Sequence, residues 1–393
     1  CRGAGLSREP QAPVRMLHAH SSFSLGGKEA RAVRLMNAFG DRAEHTILSG
    51  MPDQLGARDA IDSDIAARFP ADAPSLQGKP GLKRYLALAE YMRGFDLVLT
   101  YNWGAMDAVM AHRLLRGVKG LPPLVHHEDG FNEDESVRRN WKRNLFRRLA
   151  LRTASAVVVP SQTLARIARG EWNVDDRLAI IANGIDVAAY AGEPSVPIAG
   201  LDKAEGDVVI GTVAGLRKVK DLPRLVETVG RLGTNNRLAI VGEGPERAAI
   251  AAQAVACGLG DRFVMPGFIT QPHRWIGHFD ILALSSLSEQ APIAVIEAMA
   301  AGLPVASLDV GDIAAMVAPE NLPFIAGDET AFRGALEHLV SDAALRRSVG
   351  EANRRRAAEL FDERAMIAAY SALYRRFLSN ETGLDATERR VQT

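Results

Sequence analysis

Along the chain, short uninterrupted apolar runs alternate with longer segments whose apolar residues recur every three or four positions. The runs at 14–20, 45–48, 96–100, 123–126, 156–160, 178–182, 208–213, 237–241, 263–265, 279–284 and 305–308 read as strands, most of them apolar enough to be buried on both faces. Helical spacing is predicted over 28–39, 82–92, 136–153, 162–169 and 222–231, from Pro292 to the residue before Gly302, over most of 330–360, and over 363–378. Strand and helix in alternation predict doubly wound parallel sheets. Segment 192–206 is rich in Gly, Pro and Ala, lacks a period and reads as a linker, after which the alternation restarts. The expected domains are therefore 14–191 and 207–362, with a last helix at 363–378 and a polar, disordered tail at 380–393. Segment 51–78 is poorly periodic and predicts a loop region with one short helix around Asp62-Ser63-Asp64.

A length of 393 residues allows two sizeable cores. The formal net charge is zero and 47% of the residues are apolar, so charge gives no sign of a nucleic-acid partner. Two cysteines, Cys1 and Cys257, make neither a disulfide framework nor a metal cluster. No apolar run reaches the length of a membrane span, and residues 1–13 lack the grammar of a signal peptide. A cytoplasmic location is the expectation.

Candidate chemistry clusters after the strands, where open α/β sheets bind ligands. The run at 279–284 leads to Glu289, Pro292 and Ile293; Pro292 fits the first turn of a helix, Glu297 lies inside that helix, and Gly302 suits the residue after its end. A carboxylate in an Ala-rich helix at a sheet's mouth needs a partner, and sugar hydroxyls can donate to it in pairs. After the first strand, Gly26-Gly27 opens a helix and lets N–H groups point at an anion. Asn102 and Trp103 follow the strand at 96–100 and suit sugar or acceptor contact. His126-His127-Glu128-Asp129-Gly130-Phe131 follows the strand at 123–126; its spacing is wrong for zinc. Segment 214–221 carries Gly215, Arg217, Lys218 and Lys220 ahead of a helix. The turn Gly242-Glu243-Gly244-Pro245 lacks the third glycine of a dinucleotide fingerprint. Asp62 and Asp64 do not end an apolar strand, which argues against a metal-binding carboxylate pair there.

The helix at 136–153 has Arg138, Arg139, Lys142, Arg143, Arg147, Arg148 and Arg152 with no interrupting acid, while Val137, Trp141, Leu145 and Leu149 repeat every four residues. Two readings are open. In one, the apolar stripe packs on the sheet and the basic residues are solvated. In the other, the helix meets anionic lipid headgroups or a lipid diphosphate acceptor.

The stretch 285–304 resembles the two-glutamate motif of retaining GT-B glycosyltransferases of family four. Seven residues separate Glu289 from Glu297, and the family's Glu-Ala-Met-Ala, small residue, Gly, x, Pro stands at Glu297 to Pro304. Gly26-Gly27 before Glu29, Asn183-Gly184-Ile185-Asp186, Lys220, Gly242-Glu243-Gly244-Pro245 and the loop of Phe268 and Ile269 agree with it. The resemblance implies two Rossmann-like domains with parallel sheets facing a central cleft, and transfer of a sugar from a nucleotide-diphosphate donor, UDP or GDP type, with retention and without a metal. It further implies that Glu297 binds ribose, Glu289 contacts the donor sugar, and Lys220 with Arg217 neutralises the diphosphate. N–H groups after Gly26-Gly27 would help, and Phe268, Ile269, Gly242, Gly244, Pro292 and Ile293 would line the donor site. Asn102, Trp103, Arg139 and Arg143 fall on the acceptor side. Two positions depart from the pattern. Gly215 stands where the family usually has Arg, with Arg217 two positions on; Asp129 stands where it usually has His, with His127 two positions earlier. Either His127 or Asp129 would face the reacting centre. The implied acceptor is a glycan or polyprenyl-linked glycan, and the implied location is cytoplasmic, peripheral on the inner face of the membrane. The alternatives are a sugar-nucleotide-binding protein with little transfer activity and a GT-B sugar-nucleotide epimerase.

Overall fold

The computed structural model describes residues 12–24, 26–78, 81–131, 135, 139–378 and 384. The expected start of a helix at 136–138, most of the 380–393 tail and residues 1–11 lie outside the described residues. Two compact units emerge. Of the described residues, unit 1 comprises those up to 131, 140–181 and those from 366 onward; unit 2 comprises 135, 139 and 182–365.

Unit 1 runs β1 (Val14–His20), α1 (Gly27–Phe39), β2 (Ala43–Ser49), β3 (Ala67–Arg68), α2 (Leu82–Met92), β4 (Leu97–Tyr101), α3 (Met106–Lys119), β5 (Leu124–His127), α4 (Trp141–Ala150), β6 (Ala156–Val159), α5 (Gln162–Ile167) and β7 (Leu178–Ile180). Its seven strands are parallel, in the order β3-β2-β1-β4-β5-β6-β7. Unit 2 runs β8 (Val208–Val213), α6 (Leu222–Gly230), β9 (Asn236–Val241), α7 (Arg247–Ala256), β10 (Phe263–Gly267), β11 (Ile281–Leu284), α8 (Ile293–Ala300), β12 (Val305–Leu308), α9 (Ile313–Met316), β13 (Ile325–Ala326), α10 (Glu329–Ser341) and α11 (Ala343–Leu360). Its six strands are parallel, in the order β10-β9-β8-β11-β12-β13. The last helix, α12 (Glu363–Arg375), starts in unit 2 and from Met366 onward belongs to unit 1.

Each sheet reverses its direction of winding once, between β1 and β4 in unit 1 and between β8 and β11 in unit 2. The loops that leave those strands are 21–26 and 102–105, and 214–221 and 285–292. Such switch points are where open parallel sheets bind ligands. The residues singled out from the sequence fall largely in these loops and in the loops after the neighbouring strands.

Side chains alternate across each strand. In unit 1, Val14, Met16, Leu97, Leu99 and Val125 face a core shared with α1 and α12, whereas Leu17, Val98 and Leu124 face a core shared with α2, α3 and α5. In unit 2 the packing over β8 is tight: a Cβ on Gly211 would lie 2.1 Å from the ring of Phe279, in the loop ahead of β11. Below α8, a Cβ on Gly350 of α11 would lie 1.9 Å from the Gly302 carbonyl, so only glycine lets the two backbones cross there. Asn353 and Asn321, both fully buried, satisfy that turn: Asn353 Nδ2 donates to Leu303 O (2.9 Å), and Val305 N donates to Asn321 Oδ1 (2.8 Å).

Three expectations need correction. The predicted helix at 136–153 is shorter, because Asn140 caps it by accepting from Lys142 N and Arg143 N and its last turn tightens to a 3₁₀ turn at Leu151–Thr153. Its apolar stripe does not pack on the sheet: Trp141, Leu145 and Leu149 are exposed, and Arg147 and Ala150 take the buried side instead. The short helix expected around Asp62 is absent; a 3₁₀ turn occupies Gly56–Ala60, and Ile65 N closes a turn on Asp62 O at 3.0 Å. Among the described residues, no helix is long and apolar enough to cross a membrane.

Candidate functional site

In unit 2 the loops after β8, β9, β10 and β11 are stitched together. Leu216 N donates to Glu243 O (2.9 Å), Gly242 N to Gly267 O (2.9 Å), and Leu287 N to Val219 O (2.9 Å). Gly242 (φ 143°) and Gly244 (φ 158°) make this possible; a Cβ on either would lie 1.9 Å from Ala214 O and 2.4 Å from Leu216 O respectively. On this frame Lys220 Nζ meets Glu289 Oε1 at 2.5 Å, and Ser286 Oγ donates to the same oxygen at 2.7 Å. The lysine and glutamate side chains are 20% and 9% exposed, so the pair is shielded without being sealed. Arg217 is exposed, and its guanidinium folds back over Gly215, with Nε 3.3 Å from where a Cβ on that glycine would sit. A tight turn, Arg217 N to Gly215 O at 2.8 Å, makes this return. The Arg217 guanidinium therefore lies beside Gly215.

Pro292 sits at the N-cap of α8, one position ahead of the first turn expected for it, and Ile293 begins the helix. Glu297 is 7% exposed and accepts from the Tyr190 hydroxyl at 3.2 Å. It is therefore not a solvated helix residue. Phe268 is 56% exposed and Ile269 half-buried after β10. On the other flank Gly311 (φ 64°) leaves room for Glu289 O, which a Cβ there would approach to 2.5 Å.

In unit 1, Gly26 is the extended N-cap of α1 and Gly27 its first residue. The Glu29 carboxylate, paired with Lys28, folds toward that end of the helix; its Oε2 lies 3.0 Å from a Cβ built on Gly26. Burial pushes the Glu29 carboxyl above its ordinary value, against Lys28. After β5, Asp129 is held by two groups: Arg31 of α1 grips its carboxylate with both terminal nitrogens, and Asp129 N donates to Asn102 Oδ1 at 2.8 Å. Burial alone would raise the Asp129 carboxyl; the Arg31 guanidinium outweighs it and holds the group below the ordinary value. Asn102 itself adopts φ 54°, and its N–H donates to His127 O at 2.8 Å. Asn102 and Asp129 are thus one construction.

His127 lies beneath. It is 1% exposed, its Nε2 is 2.8 Å from the Tyr374 hydroxyl, and its Nδ1 is 3.2 Å from Thr100 O. Burial, with Arg31 nearby, drives its pKa down to about 3. On the same face of the sheet stand His18, His20, His45 and Tyr101. His18 links Tyr101 (3.1 Å) to His45 (3.0 Å), and Tyr101 stacks on His20 at 3.9 Å and on His127 at 4.7 Å. The even spacing of 14, 16, 18 and 20 puts these rings on one face once the strand is bounded. Burial lowers His45 to about 4 and puts His18 and His20 well below their ordinary value. Tyr190 and Tyr374 carried no signal of their own in the sequence.

The acceptor-side candidates divide: Asn102 holds Asp129, while Trp103 and Arg143 meet each other. Trp103 turns toward α4, where Arg143 and Arg147 lie over its ring at 5.2 and 5.0 Å. Arg139 is exposed ahead of α4. Arg147 is wholly buried, with Phe131 and Trp172 also stacked near its guanidinium (5.1 and 5.5 Å), and its Nε is 3.5 Å from Glu128, equally buried. Among the described residues, no three His, Cys, Asp or Glu side chains group so as to hold a metal ion.

Two family models match successive parts of the chain. Residues 25–189 match the model of "Glycosyltransferase Family 4", and residues 198–356 match that of "Glycosyl transferases group 1". EpsF of Bacillus subtilis (strain 168), assigned as a glycosyltransferase, is 29% identical over 316 residues, covering 74% of this chain and 78% of EpsF. LpsD of Rhizobium meliloti (strain 1021), a lipopolysaccharide core biosynthesis glycosyltransferase, is 26% identical over 56% of this chain and 63% of its own length. Among solved structures, Anabaena Alr3699/HepE in complex with UDP and glucose superposes with a TM-score of 0.74 at 18% identity, over 92% of this chain and all of that one.

Proposed function

Because this chain is a glycosyltransferase of the GT-B fold, with a family 4 segment followed by a group 1 segment, we propose that it moves a sugar from a nucleoside-diphosphate donor to a hydroxyl of a glycan or lipid-linked glycan during surface polysaccharide assembly, with retention of configuration and without a metal. The observation that carries the reading is the cation cluster at the switch point of unit 2: Lys220 on Glu289, with Arg217 folded over Gly215. Breaking the bond between the anomeric carbon and the phosphate oxygen adds charge to a group that is already anionic. Cations aimed there stabilise the transition state more than the ground state. Lys220 and Arg217 supply that charge from the chain itself.

In this reading Glu297, held by Tyr190, accepts from the ribose hydroxyls. Glu289 contacts the donor sugar once the diphosphate competes for Lys220. As the leaving oxygen departs, the acceptor oxygen bonds to the same face of the anomeric carbon, and the acceptor's proton passes to the leaving phosphate. Asp129 is the unit 1 group assigned to substrate, because Arg31 keeps it ionised and ready to accept from hydroxyls, while His127 is committed beneath it. LpsD and the basic residues of α4 support a polysaccharide-type acceptor. HepE, solved with UDP, supports a uridine donor.

A thermal-shift titration with UDP, GDP, ADP, CMP and dTDP, beside a Glu297→Gln variant, tests the reading. Binding to the folded state stabilises it by mass action, by about 2.7 kcal/mol at a hundred times Kd, and so raises the melting temperature. One nucleotide is expected to stabilise the parent and to stabilise the variant far less. Stabilisation by none of the five, or equally in both proteins, would overturn the donor site.

A further inference from the structure

Segment 183–190 opens with Asn183-Gly184-Ile185-Asp186, residues that take no part in the reaction as described. The segment lies in unit 2 and is strapped across it. Asn183 Nδ2 donates to Ala291 O (3.1 Å), in the loop ahead of α8. Ile185 N donates to Phe361 O, and Glu363 N donates to Ile185 O, both at 2.9 Å. Asp186 then caps a 3₁₀ turn at Val187–Tyr190 by accepting from Ala189 N at 3.4 Å. The turn delivers Tyr190 to α8, where its hydroxyl donates to Glu297 Oε1 at 3.2 Å. The other side of the tyrosine ring is fixed as well: it meets the His273 ring in a T-shaped contact, centroids 5.9 Å apart. His273 belongs to the turn Pro272–Arg274, in the same loop after β10 as Phe268 and Ile269. Tyr190 is thus wedged, 6% exposed, between the helix that carries Glu297 and the loop expected beside the nucleobase.

From this we infer that Tyr190 is a positioning residue that aims the Glu297 carboxylate and so makes the donor site demand a ribose rather than a deoxyribose. This rests on Glu297 binding the donor's ribose and adds what orients it. A glutamate side chain is rich in rotamers, and fixing one lowers affinity when the ligand itself must do it. Tyr190, held by its capped turn and by His273, does so before the nucleotide arrives. The phenol spends its single proton on Glu297, and an ionised carboxylate only accepts, so the next partner of Glu297 must also be a donor. Two neighbouring ribose hydroxyls meet that requirement, and hydrogen bonds to a charged acceptor are the stronger kind. A nucleotide lacking both hydroxyls leaves the carboxylate without the donors it is set to receive, which is how a polar site rejects a deoxy analogue.

Isothermal titration calorimetry of the full chain with UDP, GDP and ADP, each beside its 2′,3′-dideoxy form, tests it. The parent is expected to bind one of the three and to bind the dideoxy form on the order of 100-fold more weakly. Tyr190→Phe keeps the ring and removes only the hydroxyl. It is expected to bind the intact nucleotide about 10-fold more weakly and the dideoxy form as the parent does. A general loosening of the fold would weaken both forms alike. Tyr190→Phe/Glu297→Gln should bind no more weakly than Glu297→Gln alone, because the hydroxyl acts through the carboxylate. In turnover the Tyr190→Phe loss should fall on the donor's KM with kcat nearly kept, since the ribose is held alike in ground and transition state. If the parent binds none of the three, the donor site fails and this inference with it. If one binds but Tyr190→Phe leaves its affinity unchanged, or weakens both forms equally, or adds fully to Glu297→Gln, the inference is overturned while the donor site stands.

Discussion

Lowering the pH from 7 to 5 should destabilise unit 1 while sparing unit 2. All six histidines of unit 1 are buried; of the three in unit 2, His273 and His278 are half-buried and His338 is exposed. His45 and His127 have folded pKa values of about 4 and about 3, each lowered first by burial. The unfolded value is about 6.5, so below that pH the unfolded chain binds protons that the folded unit refuses. Stability contributed by the neutral rings is complete above the unfolded value and falls as pH drops through it. At pH 5 the deficit is ~2 kcal/mol for each ring and ~4 kcal/mol for the two. His18 and His20 push in the same direction, and His18 is left out of the sum because it shares a hydrogen bond with His45. Glu29 works in opposition, since its raised pKa makes ionisation a burden that acid relieves. Asp129, lowered by Arg31, loses its contribution only below the ordinary carboxylate range, outside this window. For a unit of this size, ~4 kcal/mol corresponds to a fall in Tm of roughly 10 °C. Differential scanning calorimetry at pH 7 and pH 5 would read it as one transition moving away from the other. In His127→Gln the acid-induced shift should shrink by roughly 5 °C, the share of that one ring, whatever the variant does to stability at pH 7. A shift under about 3 °C in the parent, or the same shift in the variant, would refute the reasoning.

Lys220→Ala should lower kcat by about 10²- to 10³-fold at saturating donor, the typical loss for one aligned charge stabiliser, whereas Lys218→Ala, exposed and unpaired with Glu289, should stay within about twofold; released nucleotide measures both. Arg147→Met should cost about 3–5 kcal/mol in urea denaturation by leaving the buried Glu128 without its cation, and Glu128→Leu added to it should recover most of the loss. Gly242→Ala, with φ 143° and a Cβ 1.9 Å from Ala214 O, should cost about 3 kcal/mol, while Gly117→Ala in α3, with nothing within 4 Å, should gain up to about 1 kcal/mol by the same assay.

The two doubly wound parallel sheets were legible because their strands are short, apolar and regularly spaced. The run at 208–213 is β8 residue for residue, and the helix at 82–92 is α2. The glutamates of 285–304 were legible from their spacing, but their partners were not. Lys220 lies 69 positions from Glu289, and Tyr190 lies 107 from Glu297. Arg217 folds back over Gly215 through a turn that no propensity announces. The stripe on α4 misled for a similar reason. A four-residue period says that apolar residues share a face, not which way it points, and the rings that draw Arg147 inward come from Trp103, Phe131 and Trp172. The histidine face needed strand bounds before its parity could be read, and the hydroxyl that closes it on His127 is 247 residues away.

That last distance bears on how the protein is made. Tyr370, Leu373 and Tyr374 of α12 belong to the core of unit 1, yet they leave the ribosome only after the whole of unit 2. Unit 2 can close as its own strands emerge, in the usual order of synthesis. Unit 1 must wait with one flank of its sheet uncovered, His127 and its neighbours included, until the final helix arrives. A nascent chain halted before Met366 would therefore carry a finished second unit on an unfinished first one, and the first would be the one that chaperones and proteases find.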